Sequence, residues 1–290
     1  MKKVIPESEL ILNPDGSVYH LQLRPEHLAS TIFTVGDPGR VGMVSKHFDR
    51  MEFQISKREF ITHTGYIGNQ RVSVLSTGMG TDNIEILMTE LDALVNIDLS
   101  TRQVKDTKQK LQIIRLGTSG AMQADIPVGS ILASKKAIGL DTLFQFYPEL
   151  PNSQSFANAV KKELDLGFSP YEANASQALL DRLKDSFLVG TTLTAPGFYA
   201  PQGREVRLKP RIESMMNKLA SLNCEGNRLT NFEMETAGYY GLGELLGHNM
   251  LSLNAIVANR VTHEFDKKAE KTMEMLIHAA LESFCSKNHP

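Results

Sequence analysis

The feature that most constrains this chain is an alternation. Short apolar runs recur along it, each closed by glycine or a polar turn, and helical patterns lie between them. The runs TIFTV at 31–35, RVSVLS at 71–76 and LQIIRL at 111–116 read as strands. Residues 83–95 follow the second run with helical spacing, because Ile84, Leu87, Met88, Leu91 and Leu94 fall on one face. Further strands are expected at 130–137, 187–193 and 251–258. Helices are expected at 235–246, closed by Gly247, and at 267–284. Strands that alternate with helices predict an α/β fold with a largely parallel central sheet flanked by helices. Ligands of such folds sit in the turns at the carboxyl ends of the strands.

The length, 290 residues, suits one large α/β domain spanning 1–290, or at most two smaller ones. No internal repeat or low-complexity linker interrupts it. Residues 1–30 read as irregular, with a turn signal NPDG at 13–16, and the charged stretch 98–110 reads as a solvated loop or helix extension. A formal net charge of −2 gives no general reason to expect nucleic acid or an anionic membrane as partner, so any anion site must be built locally from a few arginines. Cys224 and Cys285 stand far apart and outside any CxxC pattern, which fits a reducing compartment and no structural metal. The opening MKKVIPESEL lacks the apolar stretch of a signal peptide, and no apolar run approaches membrane-spanning length. The expected location is the cytoplasm.

Three glycine-rich segments follow predicted strands: GDPGR at 36–40, STGMG at 76–80 and RLGTSG at 115–120. Glycine lets a backbone approach a ligand closely, and exposed N–H groups in such turns bind anions. Arg40 and Arg115 bracket two of the three and offer planar forks suited to phosphate oxygens. Any one of these alone reads as an ordinary strand–helix turn. The chain lacks a GxGxxG dinucleotide fingerprint, a GxSxG nucleophile elbow and a GxxxxGK[ST] loop. In NFEMET at 231–236, Glu233 and Glu235 flank Met234 at an expected helix entrance. Their spacing supports two readings equally: acidic bias at a helix N-terminus, or acceptors for adjacent sugar hydroxyls. In FYAPQGR at 198–204, Gln202 and Arg204 are able to face one planar group while Phe198 stacks on it, although a solvated loop is the default.

Together these segments resemble the nucleoside phosphorylase family, and specifically its uridine phosphorylase branch. The resemblance runs from about residue 19 to 264 and rests on an ordered set: YHLQL, TVGDPGRV, KREF, STGMG, IIRLGTSGA, the Gln-x-Arg at 202–204, NFEMET, and IVANR at 256–260. It implies one α/β domain around a distorted mixed sheet, assembled as a homodimer or as a homohexamer made of three dimers. It implies a phosphate site of Gly36, Arg40, Arg115 and Thr118, completed by Arg58 from a neighbouring subunit. Glu233, Met234 and Glu235 match the ribose-binding segment. His20 matches a histidine that reaches across the dimer to the sugar 5′-hydroxyl. Phe198, Gln202 and Arg204 match the pocket that holds uracil. Arg204, Arg115 and Glu235 are the residues expected to carry catalysis.

The chain departs from the family pattern in places. Gly39 replaces the aspartate usual in GDPDR. Asn83 stands where some bacterial relatives use a serine near a bound potassium ion, with Glu59 and Met79 beside it, and no metal is expected. The stretch 98–110 exceeds the usual helix-to-strand spacing. Bacterial purine phosphorylases of the family carry a Ser-Asp after the last core strand, whereas this chain reads Ala258, Asn259, Arg260. That difference implies pyrimidine over purine. The expected reaction needs inorganic phosphate as co-substrate and no cofactor, and gives uracil and ribose 1-phosphate from uridine or a related pyrimidine nucleoside. The alternatives are a nucleosidase of the same fold, against which Arg40, Arg58 and Arg115 argue, a catalytically silent nucleoside-binding protein, and, more weakly, a nicotinamide-dependent dehydrogenase.

Overall fold

Ile32 and Phe33, like Ile113 and Ile114, are wholly buried although adjacent in sequence. Neighbouring strand residues point to opposite faces, so these strands need cover on both sides. The computed structural model describes residues 3–151 and 153–285 and supplies that cover. Phe33, Ile114, Leu253, Leu276, Ile277 and Phe284 pack on one side of the sheet. Ile32, Leu75, Ile84, Leu87, Leu91, Ile113, Tyr239 and Tyr240 pack on the other.

In chain order the elements are β1 (Thr31–Val35), α1 (Arg40–Ser45), β2 (Arg50–Lys57), β3 (Phe60–Ile67), β4 (Gln70–Ser76), α2 (Thr81–Asn96), β5 (Ile97–Asp98), β6 (Gln103–Val104), β7 (Gln112–Ala121), β8 (Ile131–Gly139), α3 (Ser155–Leu164), β9 (Tyr171–Asn174), α4 (Gln177–Leu180), β10 (Leu188–Thr194), α5 (Met215–Ser221), β11 (Asn223–Cys224), β12 (Asn227–Glu233), α6 (Thr236–Leu246), β13 (Asn249–Asn259), β14 (Glu264–Phe265) and α7 (Ala269–Phe284). Among the described residues twelve strands form one sheet: ten follow the path β11-β12-β10-β8-β13-β7-β1-β4-β3-β2, while β9 pairs with β8 and β14 with β13 off that path.

Parallel pairing joins β4, β1, β7 and β13, and separately β8, β10 and β12. The two sets meet antiparallel where β13 pairs with β8 and where β12 pairs with the end of β7. The second contact matches Asn231 with Ala121 and Phe232 with Gly120, so β7, β13, β8, β10 and β12 close on themselves. This closure is the distortion of the sheet. It brings the end of β12 to the carboxyl ends of β1, β4, β7 and β13 from the opposite direction.

Two expectations need correction. RLGTSG does not turn after the strand. β7 runs through it to Ala121, and β13 follows it with a register shift between Ile256 and Ala258. The small side chains of that segment leave the chain extended and open one face beside the closing contact with β12. The stretch 98–110 is neither a bare loop nor a helix extension, because its first part forms the β5/β6 hairpin. That hairpin holds the N-terminal segment: Val4 bridges Gln103, the Ile5 amide donates to the Arg102 carbonyl at 2.8 Å, and Arg102 Nη1 donates to the Leu10 carbonyl at 2.5 Å. Beyond this, residues 3–30 carry an isolated bridge between Leu12 and Val18 and a 3-10 turn at Pro25–His27.

Candidate active site

A cavity of about 770 Å³ opens where the carboxyl ends of β1, β4, β7 and β13 meet the end of β12. Its wall includes Gly36, Arg40, Arg115, Thr118, Phe198, Gln202, Arg204, Glu233, Met234 and Glu235. These come from segments up to 200 residues apart in sequence, and the sheet closure gathers them.

At one end, β1 runs into Gly36, and Asp37 turns the chain by accepting from the Gly39 amide at 2.9 Å. This Asx turn sets Arg40 at the start of α1. Glycine at position 39 therefore leaves the loop intact, since Asp37 supplies the carboxylate the turn needs. Burial lowers the Arg40 pKa, with Asp37 opposing and Arg115 adding to the shift. The Arg40 side chain makes no ion pair among the described residues, and two cations facing one cavity favour an anion between them.

Arg115 projects from the middle of β7 and is only 6% exposed. Its Nη1 donates to Asn254 Oδ1 at 3.1 Å and Ser252 Oγ at 3.3 Å, and its Nη2 donates to Glu235 Oε2 at 2.5 Å. Glu233 Oε2 lies 3.2 Å from the same nitrogen. Burial opposes the charge, but Glu233 and Glu235 outweigh it and hold the guanidinium above its ordinary value. A Cβ at Gly117 would sit 1.9 Å from Arg115 Nη1, so only glycine leaves room for this side chain. That is the physical reason for one glycine of RLGTSG.

Of the two readings their spacing allowed, the structure shows the helix N-terminus one for Glu233. Glu233 ends β12, and its Oε2 accepts from the Glu235 and Thr236 amides at 2.9 and 2.8 Å, capping α6. Its Oε1 takes the Thr194 hydroxyl at 2.5 Å. Glu235 Oε1 accepts from the Gly80 amide at 2.9 Å. That contact uses the glycine segment STGMG, where Gly78 and Gly80 adopt φ of 72° and 97°. Burial raises the Glu235 pKa, with Arg115 opposing and Glu233 adding.

At the other end, a 3-10 turn at Ala200–Gln202 closes on Gly203 and aims Gln202 inward, 3% exposed. Arg204 donates to Gln202 Oε1 at 2.6 Å and to the Phe198 carbonyl at 2.5 Å, and its guanidinium lies 3.8 Å over the Phe198 ring. The loop is therefore organised around a cation and not merely solvated. Burial and nearby Arg260 pull the Arg204 pKa down to about 10, which leaves it cationic at neutral pH.

Sequence reasoning missed other parts of the wall: Ser119, Gly120, Arg260, His263, Glu264 and Phe265. Arg260 donates to the Gln202 carbonyl at 3.1 Å and is itself lowered in pKa by burial. The rule that found the other turns, a polar residue just past a strand's carboxyl end, applies equally to Arg260 after β13. His20 and Arg58 do not line this cavity. They lie together elsewhere, linked through Tyr19, whose ring stands edge-on to His20 at 4.9 Å and 5.7 Å from the Arg58 guanidinium.

Comparison with known proteins agrees with this geometry. A family model described as the phosphorylase superfamily matches residues 30–285. A uridine phosphorylase of Thermococcus kodakarensis is 30% identical over 92% of this chain and 86% of its own length. A purine nucleoside phosphorylase DeoD-type of Streptococcus suis is 28% identical over 87% of this chain and 91% of its own. The crystal structure of a Trypanosoma brucei nucleoside phosphorylase described as showing uridine phosphorylase activity superposes with a TM-score of 0.83 at 30% identity, covering 94% of this chain and 99% of that one. With a matching model over nearly the whole chain and a fold shared from end to end, the protein belongs to the phosphorylase superfamily.

Proposed function

We propose that this protein cleaves uridine with inorganic phosphate, giving uracil and ribose 1-phosphate. The observation that carries the reading is one cavity with two cationic ends: Arg40 and Arg115 at one, Gln202 and Arg204 at the other, and Glu233 and Glu235 between. Uridine phosphorylases among the relatives support the pyrimidine choice.

Phosphorolysis passes through a ribosyl cation-like state, and the charges that develop must meet fixed partners. Arg40, Arg115, Gly36 and Thr118 hold phosphate beneath the sugar. Phosphate stabilises the growing positive charge and then bonds to the anomeric carbon as the bond to the base nitrogen breaks. Glu235, with Glu233 and the Met234 backbone, orients the ribose. Glu235 Oε1 is tied to the Gly80 amide and its Oε2 to Arg115, so the carboxylate cannot rotate away. The leaving uracil gains negative charge. Arg204 stabilises it electrostatically, since a guanidinium hardly yields its proton. Gln202 presents its amide to the base edge, and Phe198 flanks it.

His20 and Arg58 complete the site of a second subunit in this reading, His20 at the sugar 5′-hydroxyl and Arg58 at phosphate. Their placement outside the chain's own cavity supports that reading, as does their shared contact with Tyr19. The assembly is then a homodimer or three such dimers. No described helix is long and apolar enough to cross a membrane, Cys224 and Cys285 are free, and a reducing cytoplasm suits both.

A panel of uridine, thymidine, cytidine, inosine and adenosine tests the base assignment. Uridine should lead in the unaltered protein. Arg204→Ala should lower kcat as well as raise KM, by about 1.5–3 kcal/mol in all for a lost charged hydrogen bond. Preference for inosine or adenosine, or an Arg204→Ala protein that turns uridine over normally, contradicts the pyrimidine reading.

A further inference from the structure

We propose that Glu90 positions His20 for substrate recognition. Glu90 holds the histidine's ring and backbone in the one orientation that leaves Nε2 free to meet the sugar. The inference rests on the reading that His20 reaches the 5′-hydroxyl of a nucleoside in the partner's site.

Glu90 lies on the buried side of α2 and is 7% exposed. A carboxylate there needs full hydrogen bonding. All of its partners given by the structure belong to two consecutive residues 70 positions away. Oε1 accepts from the His20 amide at 2.9 Å and lies 2.7 Å from His20 Nδ1. Oε2 accepts from the His20 amide at 3.1 Å and from the Leu21 amide at 2.8 Å. Capture of two backbone amides would by itself make Glu90 an anchor for the N-terminal segment. The contact to Nδ1 adds something an anchor does not need. A carboxylate only accepts, so Nδ1 must carry the proton, and Nε2 of the neutral ring is left with a bare lone pair. The imidazole side chain remains 29% exposed, and in this proposal Nε2 accepts from a hydroxyl.

The other neighbours of this segment do not compete for the ring. Tyr19 meets it edge-on, and Arg58 approaches Tyr19 and not the imidazole. Leu21 and Leu23 are buried, which pins the chain on the far side of His20. Glu90 is thus the group that decides how the ring faces.

The test compares uridine with 5′-deoxyuridine, which lacks only the hydroxyl concerned. In Glu90→Gln the ratio of their kcat/KM values should fall about tenfold, the size of one lost hydrogen bond. His20→Ala should lower the same ratio at least as much, and adding Glu90→Gln to it should lower the ratio no further. If Glu90→Gln slows both substrates equally, Glu90 is only structural and the proposal is overturned, while the role of His20 stands. If His20→Ala leaves the ratio unchanged, the reading of His20 itself falls and takes the proposal with it. A second measurement needs no variant. The 15N shifts of the His20 ring in the unaltered protein, at a pH where the ring is neutral, should show protonated Nδ1. Protonated Nε2 would overturn the proposal whatever the variants do.

Discussion

Gly117 and Arg115 illustrate how much of the site is decided by single residues. The guanidinium occupies the space a Cβ at position 117 would need, so Gly117→Ala must displace it from Glu235 and, in the proposed reaction, from phosphate. Breaking a buried pair leaves carboxylates uncompensated and costs about 3–5 kcal/mol. The variant should therefore lose thermal stability and at least about tenfold in kcat/KM for a charged contact to phosphate. Gly120→Ala places its new methyl 3.6 Å from Arg260 Cγ, an ordinary contact, and should keep the stability of the Arg115 pair. Thermal melts and uridine kinetics of the two variants check this, and a Gly117→Ala protein that melts and turns over normally would show that Arg115 is not fixed as described. Some of this was legible beforehand. Arg40, Arg115, Gln202 and Glu235 declare themselves by chemistry and by the glycine-rich or polar segments they stand in. The hydrogen-bond economy around them was not legible, because Ser252, Asn254, Thr194 and Gly80 become neighbours only once the sheet closes.

At the scale of elements, strong periodicity predicts an element well and weak periodicity does not. The helices at Thr81–Asn96 and Ala269–Phe284 and the strands at Thr31–Val35 and Asn249–Asn259 lie within a few residues of expectation. β2 escaped because it lies at the end of the strand path with mostly polar, exposed residues, so no apolar run marks it. The glycine and hydroxyl residues at the end of β7 resemble a turn, and only its antiparallel partner β12 shows why they stay extended. No apolar run marks the β5/β6 hairpin, and its contacts with Val4, Ile5 and Leu10 join it to residues far away in sequence. Those contacts give it a purpose: it ties down the segment that leads to His20. Replacing residues 99–108 with a short turn should remove hydrogen-exchange protection from residues 3–12 while leaving that of β7 and β13 intact. Unchanged protection at residues 3–12 would mean that the hairpin does not hold them.

The whole molecule follows from one topological event, the return of β12 to β7. It converts an open α/β sheet into a partly closed one and collects cationic, acidic and amide groups around one cavity. The same geometry leaves His20 and Arg58 outside, which supports a site shared between subunits. Mixing Arg58→Ala with Arg115→Ala protein under subunit exchange should restore part of the activity that each lacks alone, because some dimers then contain one intact site. No recovery despite demonstrated exchange would argue that each chain works by itself. The central claim is phosphate-dependent cleavage of a nucleoside, and the most direct test is uridine cleavage in phosphate-free buffer and again after phosphate is added, with the sugar product identified. The arginine-lined end of the cavity predicts negligible uracil release without phosphate and ribose 1-phosphate with it; equal rates in both conditions, with free ribose as the product, would contradict the account.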